Sequence, residues 1–448
     1  MRGLLVLALL GCSHKAPPSV ATRLYTDTEL AEAKADVLKR VAANATRTCP
    51  RPVLEGKPTP GPATADMIAI FEPTGALAAC VAQLADNLKE LQAQFATRVP
   101  AVLALEHSCG PQLEAAVRAA IAHEDSCWPY QIGVRPLPEH MTSPIGVVHL
   151  LDLRADLAAE RGDLAGALAL ELATLRFSHD LGRGHQGILG VVFSALTSEL
   201  AIDHVRAMLE DRHPTVAQLD ALAPRLDALL ATEPSFTDGL EAEAEQTALY
   251  LGLALLEPAT WIPPGGWPPG QEKPDPKLLP GLDLHDAAGL VMTNLDSSAV
   301  AACPRGASLL ACFQGLSSPA DSVELPNVAG LLASLRQQGT TDPLKLRAIV
   351  AERVANVTAW SGYANKLARA VALLAALRLH VEILRAVART GHCPDAAALD
   401  RSPFAELATP ASLGASLTLA VNGPGIELGL PMFVDAKGRS TWRVTCPP

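Results

Sequence analysis

The sequence predicts a mainly α-helical protein with a small antiparallel β unit at its C-terminal end. Hydrophobic residues make up 49% of the chain and aromatic residues only 4%, and a core built from alanine, leucine and valine favours helices over sheets. Apolar residues recur at spacings of three and four along most of the 448 residues. Residues 416–444 instead combine short alternating runs with glycine-rich turns. We therefore expect antiparallel helical hairpins or a bundle, followed by a short sheet.

Residues 26–256 are predicted to form a helical domain. Thr26 and Thr215 each precede an acidic or amide residue by three positions, which is the pattern of a capping box. Ser143 is followed by proline at a first helical position, and Asp163 has the position of the next N-cap. The two helices that begin there should form a tight antiparallel hairpin.

Further expectations concern the faces and bounds of these helices. Asp152, Asp156 and Glu160 are spaced three or four apart and are expected to line one solvated face. A leucine stripe on the following helix should be buried, at Leu164, Leu168, Leu172 and Leu175. Further towards the N-terminus, one helix should run through Leu77 and Leu91 until Pro100 interrupts it, and a new helix should begin at Pro111.

The clearest internal boundary is residues 257–281, which contain eight prolines and four glycines. Its Trp261 and Trp267 either pack over the helical body, which we favour, or recognise a partner. Residues 282–448 form the second predicted unit, with a long helix and a β end at 416–421, 426–430 and 440–444. Charged residues of that helix should lie opposite its apolar stripe and pair weakly, by roughly 0.2–0.5 kcal/mol, at Arg378, Glu382, Arg385 and Arg389.

The charge balance excludes one class of partner. The formal net charge is −11, with 36 basic and 47 acidic residues. No stretch of clustered lysine and arginine occurs, so the chain lacks the basic surface of a nucleic-acid-binding protein. We predict no nucleic-acid partner.

The first twelve residues, MRGLLVLALLGC, predict the location of the protein. Arg2 precedes a short apolar run that ends at a small residue, which is the order of an export signal. Leu9-Leu10-Gly11-Cys12 resembles the lipobox of bacterial lipoproteins. The resemblance implies that residues 1–11 are a signal peptide and that Cys12 carries acyl chains which bind the membrane. Residues 12–25 would form a tether, and Ser13 implies the outer membrane, facing the periplasm.

The remaining eight cysteines are predicted to form disulfides, because an even number outside the cytoplasm has that meaning. They are Cys49, Cys80, Cys109, Cys127, Cys303, Cys312, Cys393 and Cys446. Eight cysteines allow 105 pairings, so spacing does not fix the connectivity. Pairing sequence neighbours predicts 49–80, 109–127, 303–312 and 393–446. A zinc site is the weaker alternative, since no CxxC motif occurs.

The body of the chain from Ser143 onward is similar to large, uncharacterised helical proteins exported by bacteria. The shared features are the hairpin RGDLAGALALELATLRFSHDLGRG at 161–184, an apolar helix led by Asn327, and a long helix ending in RTGHCPDAAAL at 389–399. Relatives tend to have Tyr-Pro where this chain has Cys393-Pro394. The resemblance implies an α-rich fold and no known activity.

Few residues suggest chemistry. His179, Asp180 and His185 surround one turn and are the candidates for a polar or metal site, although no ligand-spaced motif supports them. Residues 182–187 match G-x-G-x-x-G but follow a helix rather than a strand, so we interpret them as a helix–helix turn. His380 is expected to be a core histidine. We predict no catalytic residue, no cofactor and no metal site.

Two functional hypotheses follow. The first is a lipid-anchored envelope protein that is not an enzyme and acts as a scaffold or binding module, with an envelope protein as partner. The second is an envelope hydrolase whose site is built from distant residues such as His179, Asp180 and His185. They differ in a spatial expectation: a hydrolase requires these groups to meet a further carboxylate in a cleft.

Overall fold

Helices make up 74% of the residues that the structure, a computed structural model, describes. Apart from isolated positions nearer the N-terminus, the description covers residues 70, 75–86, 88–123, 143–183, 187–243, 302–316, 360–431 and 441–446. The predicted mainly α fold class is confirmed, including the small antiparallel sheet. The predicted signal peptide, tether and Pro-rich boundary lie outside the described residues, as do Asn327, Trp261 and Trp267. Of the predicted first helix, only Thr28, Ala31, Glu32 and Ala35 are described, and they are helical.

Seven helices lie in the described residues 75–231. They are α1 (Ala76–Asp86), α2 (Leu88–Thr97), α3 (Pro100–Ile121), α4 (Ser143–Glu160), α5 (Leu164–Leu181), α6 (Gly187–Arg212) and α7 (Val216–Ala231). The C-terminal part adds α8 (Leu309–Leu316), the long α9 (Trp360–Thr390), and the single turns α10 (Ala396–Leu399) and α11 (Phe404–Leu407).

The N-terminal helices correct one expectation. The predicted helix through Leu91 is helical at all its described positions, in α1 and α2, with residue 87 outside the description. The next helix begins at Pro100 rather than at Pro111. Proline is well tolerated at Pro100 because a first-turn N–H has no helical partner. Cys80 of α1 pairs with Cys109 of α3, at a Cα–Cα distance of 5.6 Å. The predicted pairings 49–80 and 109–127 are therefore wrong: α1 packs against α3, so these cysteines are neighbours in space rather than in sequence.

The α4–α5 hairpin forms as predicted. α4 ends before Gly162, whose φ of +88° is a conformation that glycine adopts readily. The Asp163 carboxylate accepts a hydrogen bond from the backbone N–H of Gly166 at 2.8 Å and caps α5. The two helices then pack along their length. The leucine stripe of α5 lies in the core, except that Leu164 is partly exposed.

α6 lies between this hairpin and the C-terminal part of the chain. It packs against α4 and α5 and also against α9. By length and composition alone it could cross a membrane, but 67% of its most apolar 18-residue window is buried inside the molecule, as in a core helix. The Glu243 carboxylate accepts a hydrogen bond from the Ile188 N–H at 3.0 Å, so a distant residue caps the start of α6. α7 begins at the predicted capping box of Thr215 and Gln218.

The C-terminal part is attached to this body by α9, which packs against α6, α7 and α8. Apolar residues from both predicted helical units join one core. Cys303 pairs with Cys312, as predicted, and the Thr237 hydroxyl donates to the Cys303 carbonyl at 3.0 Å. This bond connects the helical residues 236–243 to the segment that contains α8.

The β unit has the strand order β1-β2-β3, with both pairs antiparallel. Its strands are β1 (Thr418–Asn422), β2 (Gly425–Gly429) and β3 (Thr441–Thr445), each within two residues of its predicted bounds. Gly423 has φ +60° in the β1–β2 turn, the position where a two-residue hairpin favours glycine. The predicted pair Cys393–Cys446 is present, at a Cα–Cα distance of 5.8 Å, and joins the sheet to the residues after α9.

Candidate functional site

The predicted polar candidates lie at the end of α5 and do not form an open site. Asp180 is fully buried and His179 is 4% exposed. Asp180 accepts hydrogen bonds from Arg183 at 2.9 Å and from Arg176 at 3.1 Å. His185 lies outside the described residues. Both neighbouring arginines at the C-terminal end of α5 therefore form ion pairs with the Asp180 carboxylate.

Burial controls the protonation of both residues. Together with the charges of Arg176 and Arg183, it lowers the pKa of His179 to about 3. It raises the pKa of Asp180 to about 6, against the opposing effect of the same arginines. A neutral, enclosed imidazole beside a carboxylate held by two arginines fits a helix terminus better than a catalytic pair. The segment 182–187 connects α5 to α6, in agreement with its interpretation as a helix–helix turn.

A second polar cluster lies deeper, where α4, α5 and α6 meet. Asp152 of α4 and Glu171 of α5 are 1% and 0% exposed, and their carboxyl groups lie within hydrogen-bonding reach of each other. His204 of α6 places Nε2 3.6 Å from Asp152 Oδ2. His149, one turn before Asp152 on α4, stacks on Phe95 with ring centroids 5.5 Å apart. This placement corrects the predicted solvated face.

The error concerns Asp152 alone among the three residues of that face. Asp156 and Glu160 are partly or largely solvated and pair with Arg98, which follows α2, at 3.2 Å for Asp156. Asp152 is on the same side of α4 but closer to the middle of the helix, where α5 and α6 cover it. Periodicity identifies residues that share a face; it does not say where along the helix the face becomes buried.

The pKa values in this cluster are set by the burial of two neighbouring carboxyl groups. Burial raises the pKa of Asp152 to about 6, while the nearby His204 lowers it. Burial and the charge of Asp152 raise the pKa of Glu171 well above its ordinary value. Burial also lowers the pKa of His149 to about 4, with His204 adding to the effect. Two carboxylates this close cannot both be ionised at low cost, so their proximity favours a protonated form of the pair.

A third polar group connects α7 and α9. The buried Arg378 donates to both carboxylate oxygens of Asp227, at 2.7 and 3.2 Å, and to Glu382 at 3.0 Å. Glu382 also accepts from Arg385 at 2.7 Å. The predicted pairing of Arg378 with Glu382, four positions apart, is present. The sequence did not show that α7 also packs against α9 and supplies Asp227 and Asp220 as further partners of the arginines.

His380 is a core histidine, as predicted. It is 1% exposed, and its Nδ1 accepts a hydrogen bond from Trp442 Nε1 of β3 at 3.3 Å. Arg206 of α6 lies over the Trp442 ring, 4.7 Å from its centroid. Burial, together with the charge of Arg206, lowers the pKa of His380 to about 3. The three residues fix the sheet to α9 and α6.

The described residues were also compared with the requirements of a metal site. Within those residues, no three His, Cys, Asp or Glu side chains are arranged to hold a metal ion. Six of the eight body cysteines are paired in disulfides there, and Cys49 and Cys127 lie outside the description.

Sequence reasoning missed the pair of Asp152 and Glu171, although a signal was present. Glu171 is the only charged residue between Leu164 and Leu175, within a run that is otherwise alanine, leucine, glycine and threonine. A lone acid in such a run requires a partner or a proton when the helix is buried. The identity of that partner depended on how α4 is oriented against α5.

Comparison with models of known protein families, with curated proteins and with solved structures finds no significant match to this chain.

Proposed function

We propose that this chain is a lipid-anchored helical protein of the cell envelope and that it acts as a scaffold or binding module rather than as an enzyme. The observation that carries the proposal is the sequence Leu9-Leu10-Gly11-Cys12 after a short apolar run that begins with Arg2. A cysteine in this position would carry the acyl chains, and several chains are needed for stable attachment to a bilayer.

Disulfide formation in the body supports export. Cys80–Cys109, Cys303–Cys312 and Cys393–Cys446 all join buried or partly buried segments of the fold. Disulfides of this kind persist in oxidising compartments such as the periplasm and are rare in the cytosol. The location inferred from the lipobox and the chemistry of the body cysteines therefore agree.

The arrangement of buried charges supports a structural rather than a catalytic body. Arg154 binds Glu106 and Glu114, both at 2.6 Å, between α3 and α4. Arg378 binds Asp227 and Glu382 between α7 and α9. In each case one arginine joins two helices by binding two acids at once. Such networks hold a rigid surface on which partners can assemble.

The hydrolase hypothesis has less support. It requires His179 and Asp180 to act on a substrate together with His185. Asp180 is fully buried and bound by Arg176 and Arg183, and burial keeps His179 neutral by lowering its pKa to about 3.

The decisive experiment measures lipid attachment. Cells that express the full chain are labelled with radioactive palmitate, and the membrane fraction is extracted with detergent. We expect the wild-type protein to be labelled and membrane-bound. Cys12→Ser should abolish both, because the acylated sulfur is removed. The matched control is Ser13→Ala, which leaves the cysteine in place and should remain labelled.

The outcomes separate anchor from activity. A Cys12→Ser protein that stays membrane-bound with an unmodified N-terminus would show that the anchor is not lipid. Ser13→Asp should retain the labelled protein in the inner membrane if the sorting rule applies. Crosslinking of the labelled protein in intact envelopes, followed by its purification, should recover a defined protein partner; hydrolysis of envelope polymers by the purified protein would instead favour the enzyme hypothesis.

A further inference from the structure

The acid pair, which we define as Asp152 and Glu171, differs from the other acids described above. Asp180, Glu106 and Glu382 each bind one or two arginines. Neither carboxyl of the acid pair binds any arginine or lysine, and none of their four oxygens has a hydrogen-bond donor among the described residues. Buried polar atoms are nearly always satisfied, so four orphaned oxygens in one place require an explanation.

A proton supplies that explanation. The two carboxyl groups lie within hydrogen-bonding reach, yet two ionised carboxylates are both acceptors and cannot bond to one another. If one oxygen carries hydrogen, it donates to the other group, and a single proton satisfies one oxygen on each side. A short bond between an acid and its carboxylate is also stronger than a bond between neutral groups.

We propose that the acid pair is a proton-binding site, in which one proton shared by Asp152 and Glu171 fastens α4 to α5 and makes the helical body sensitive to alkaline pH. The inference does not depend on lipid attachment or export, so it can fail or succeed independently of the proposed function.

Release of the proton follows a short path to solvent. The O–H bond within the acid pair breaks, and the proton leaves to water on the side of His204, whose Nε2 lies 3.6 Å from Asp152 Oδ2 and whose side chain is 34% exposed. The pair is then left with two negative charges between α4 and α5, where repulsion and lost solvation both favour separation of the helices.

The surrounding charges are few. The titratable groups that act on the acid pair are Asp156 on α4 and His204 on α6. His149 on α4 and Asp203 on α6 lie close to His204, which shifts the pKa of both. Arg98, which follows α2, binds Asp156. Asp156 disfavours ionisation of both members of the pair, whereas His204 favours ionisation of Asp152.

The direction of the pH dependence follows from the protonation of the pair. Burial raises the pKa of Asp152 from 3.8 to about 6, and burial with the charge of Asp152 raises the pKa of Glu171 further. The folded state therefore binds protons that the unfolded state has already released. The stability from these groups is complete below about pH 4 and is lost as the pH rises through 6 and above.

The test replaces the shared proton by a permanent donor. Glu171→Gln keeps the shape of the side chain and donates an N–H to Asp152 at every pH. The melting temperature of each protein, with disulfides intact and metals removed by EDTA, is measured from pH 5 to pH 9. The wild-type value should fall across this range more than that of Glu171→Gln. The variant should melt at least about 2 °C higher at pH 8.5, and the two should converge near pH 5.

The matched control is Glu406→Gln, the same substitution at an exposed position on α11. It should reproduce the pH profile of the wild type. If Glu171→Gln does not fold, Asp152→Asn places the donor on the other side of the pair, and the same flattening is expected. Infrared spectroscopy adds a direct observation: subtracting the spectrum of Glu171→Gln from that of the wild type at pH 7 should leave the carbonyl band of a protonated acid.

Three results would overturn the proposal. One is a parallel pH profile in wild type, Glu171→Gln and Asp152→Asn. Another is an infrared difference spectrum that contains carboxylate bands and no protonated-acid band. The third is a rise in the wild-type melting temperature on adding Zn²⁺ that both variants lose, because the carboxyls would then hold a cation instead of a proton.

Discussion

Arg378 offers the sharpest test of how α7 and α9 are held together. Its side chain is 8% exposed, and it binds Asp227 through two hydrogen bonds and Glu382 through one. Substitution by methionine keeps an unbranched stem of similar length and removes the guanidinium. The packing of the stem is therefore retained, and the change reports mainly on the lost charge.

The expected loss is smaller than for a typical buried pair. Removing one partner of such a pair costs about 3–5 kcal/mol when the other charge is left buried alone. After this substitution, the carboxylates of Asp227 and Glu382 both still have partners. The Asp227 side chain is 49% exposed and can bind water, and Glu382 keeps its bond from Arg385 at 2.7 Å. We therefore expect Arg378→Met to lower the free energy of unfolding by about 2 kcal/mol.

The same substitution at Arg389 is the matched control. Arg389 is on the same helix, its side chain is 51% exposed, and its described contact is a single bond to Asp220 at 3.0 Å. An exposed pair contributes about 0–1 kcal/mol, so Arg389→Met should have an effect in that range. Guanidinium chloride unfolding followed by circular dichroism gives both free energies, provided that the slopes agree.

The reasoning would be refuted if Arg378→Met cost no more than Arg389→Met. A double-mutant cycle with Asp227→Asn adds a second condition. If the cation acts through Asp227, the effects of Arg378→Met and Asp227→Asn should be less than additive, with a coupling energy above about 0.5 kcal/mol. Strict additivity would mean that the two residues are neighbours without a shared contribution.

Two further predictions concern the disulfides and a buried histidine. Peptide mapping without reduction should recover Cys80 linked to Cys109, and the double variant to serine should lose about 3–4 kcal/mol for a separation of 29 residues; peptides joining Cys80 to Cys49 would contradict this connectivity. Burial lowers the pKa of His380 from 6.5 to about 3, so its stabilising contribution is present above pH 6.5 and is lost as the pH falls towards 3. NMR, with His380→Phe for assignment, should show no titration of this ring above pH 5, and a midpoint near 6.5 would contradict its burial.

Local signals in the sequence predicted local structure well. Asp163 and the pair of Thr215 and Gln218 cap helices as expected, because capping depends on residues within one turn. The strands also lie within two residues of their predicted positions, since alternation and turn glycines are local as well. Fold class follows from the sum of such signals.

The buried polar groups could not be predicted in the same way. Asp152 has a spacing that suits a solvated face, and only the packing of α5 and α6 over the middle of α4 encloses it. Cys80 and Cys109 are bridged because α1 and α3 pack together, which no spacing reveals. Arg378 donates a hydrogen bond to Asp227, which is 151 positions away in the sequence. Each of these depends on which helices are neighbours, and composition leaves that choice open.

The bridge between Cys393 and Cys446 has a practical consequence for anyone who follows the turnover of this protein. It closes a covalent ring over a separation of 53 residues that includes the whole sheet. A protease that cuts once within this ring produces two pieces that stay joined through sulfur. The nicked molecule would have an unchanged mass on a gel run without reductant apart from one added water, and the cut would become visible only after reduction.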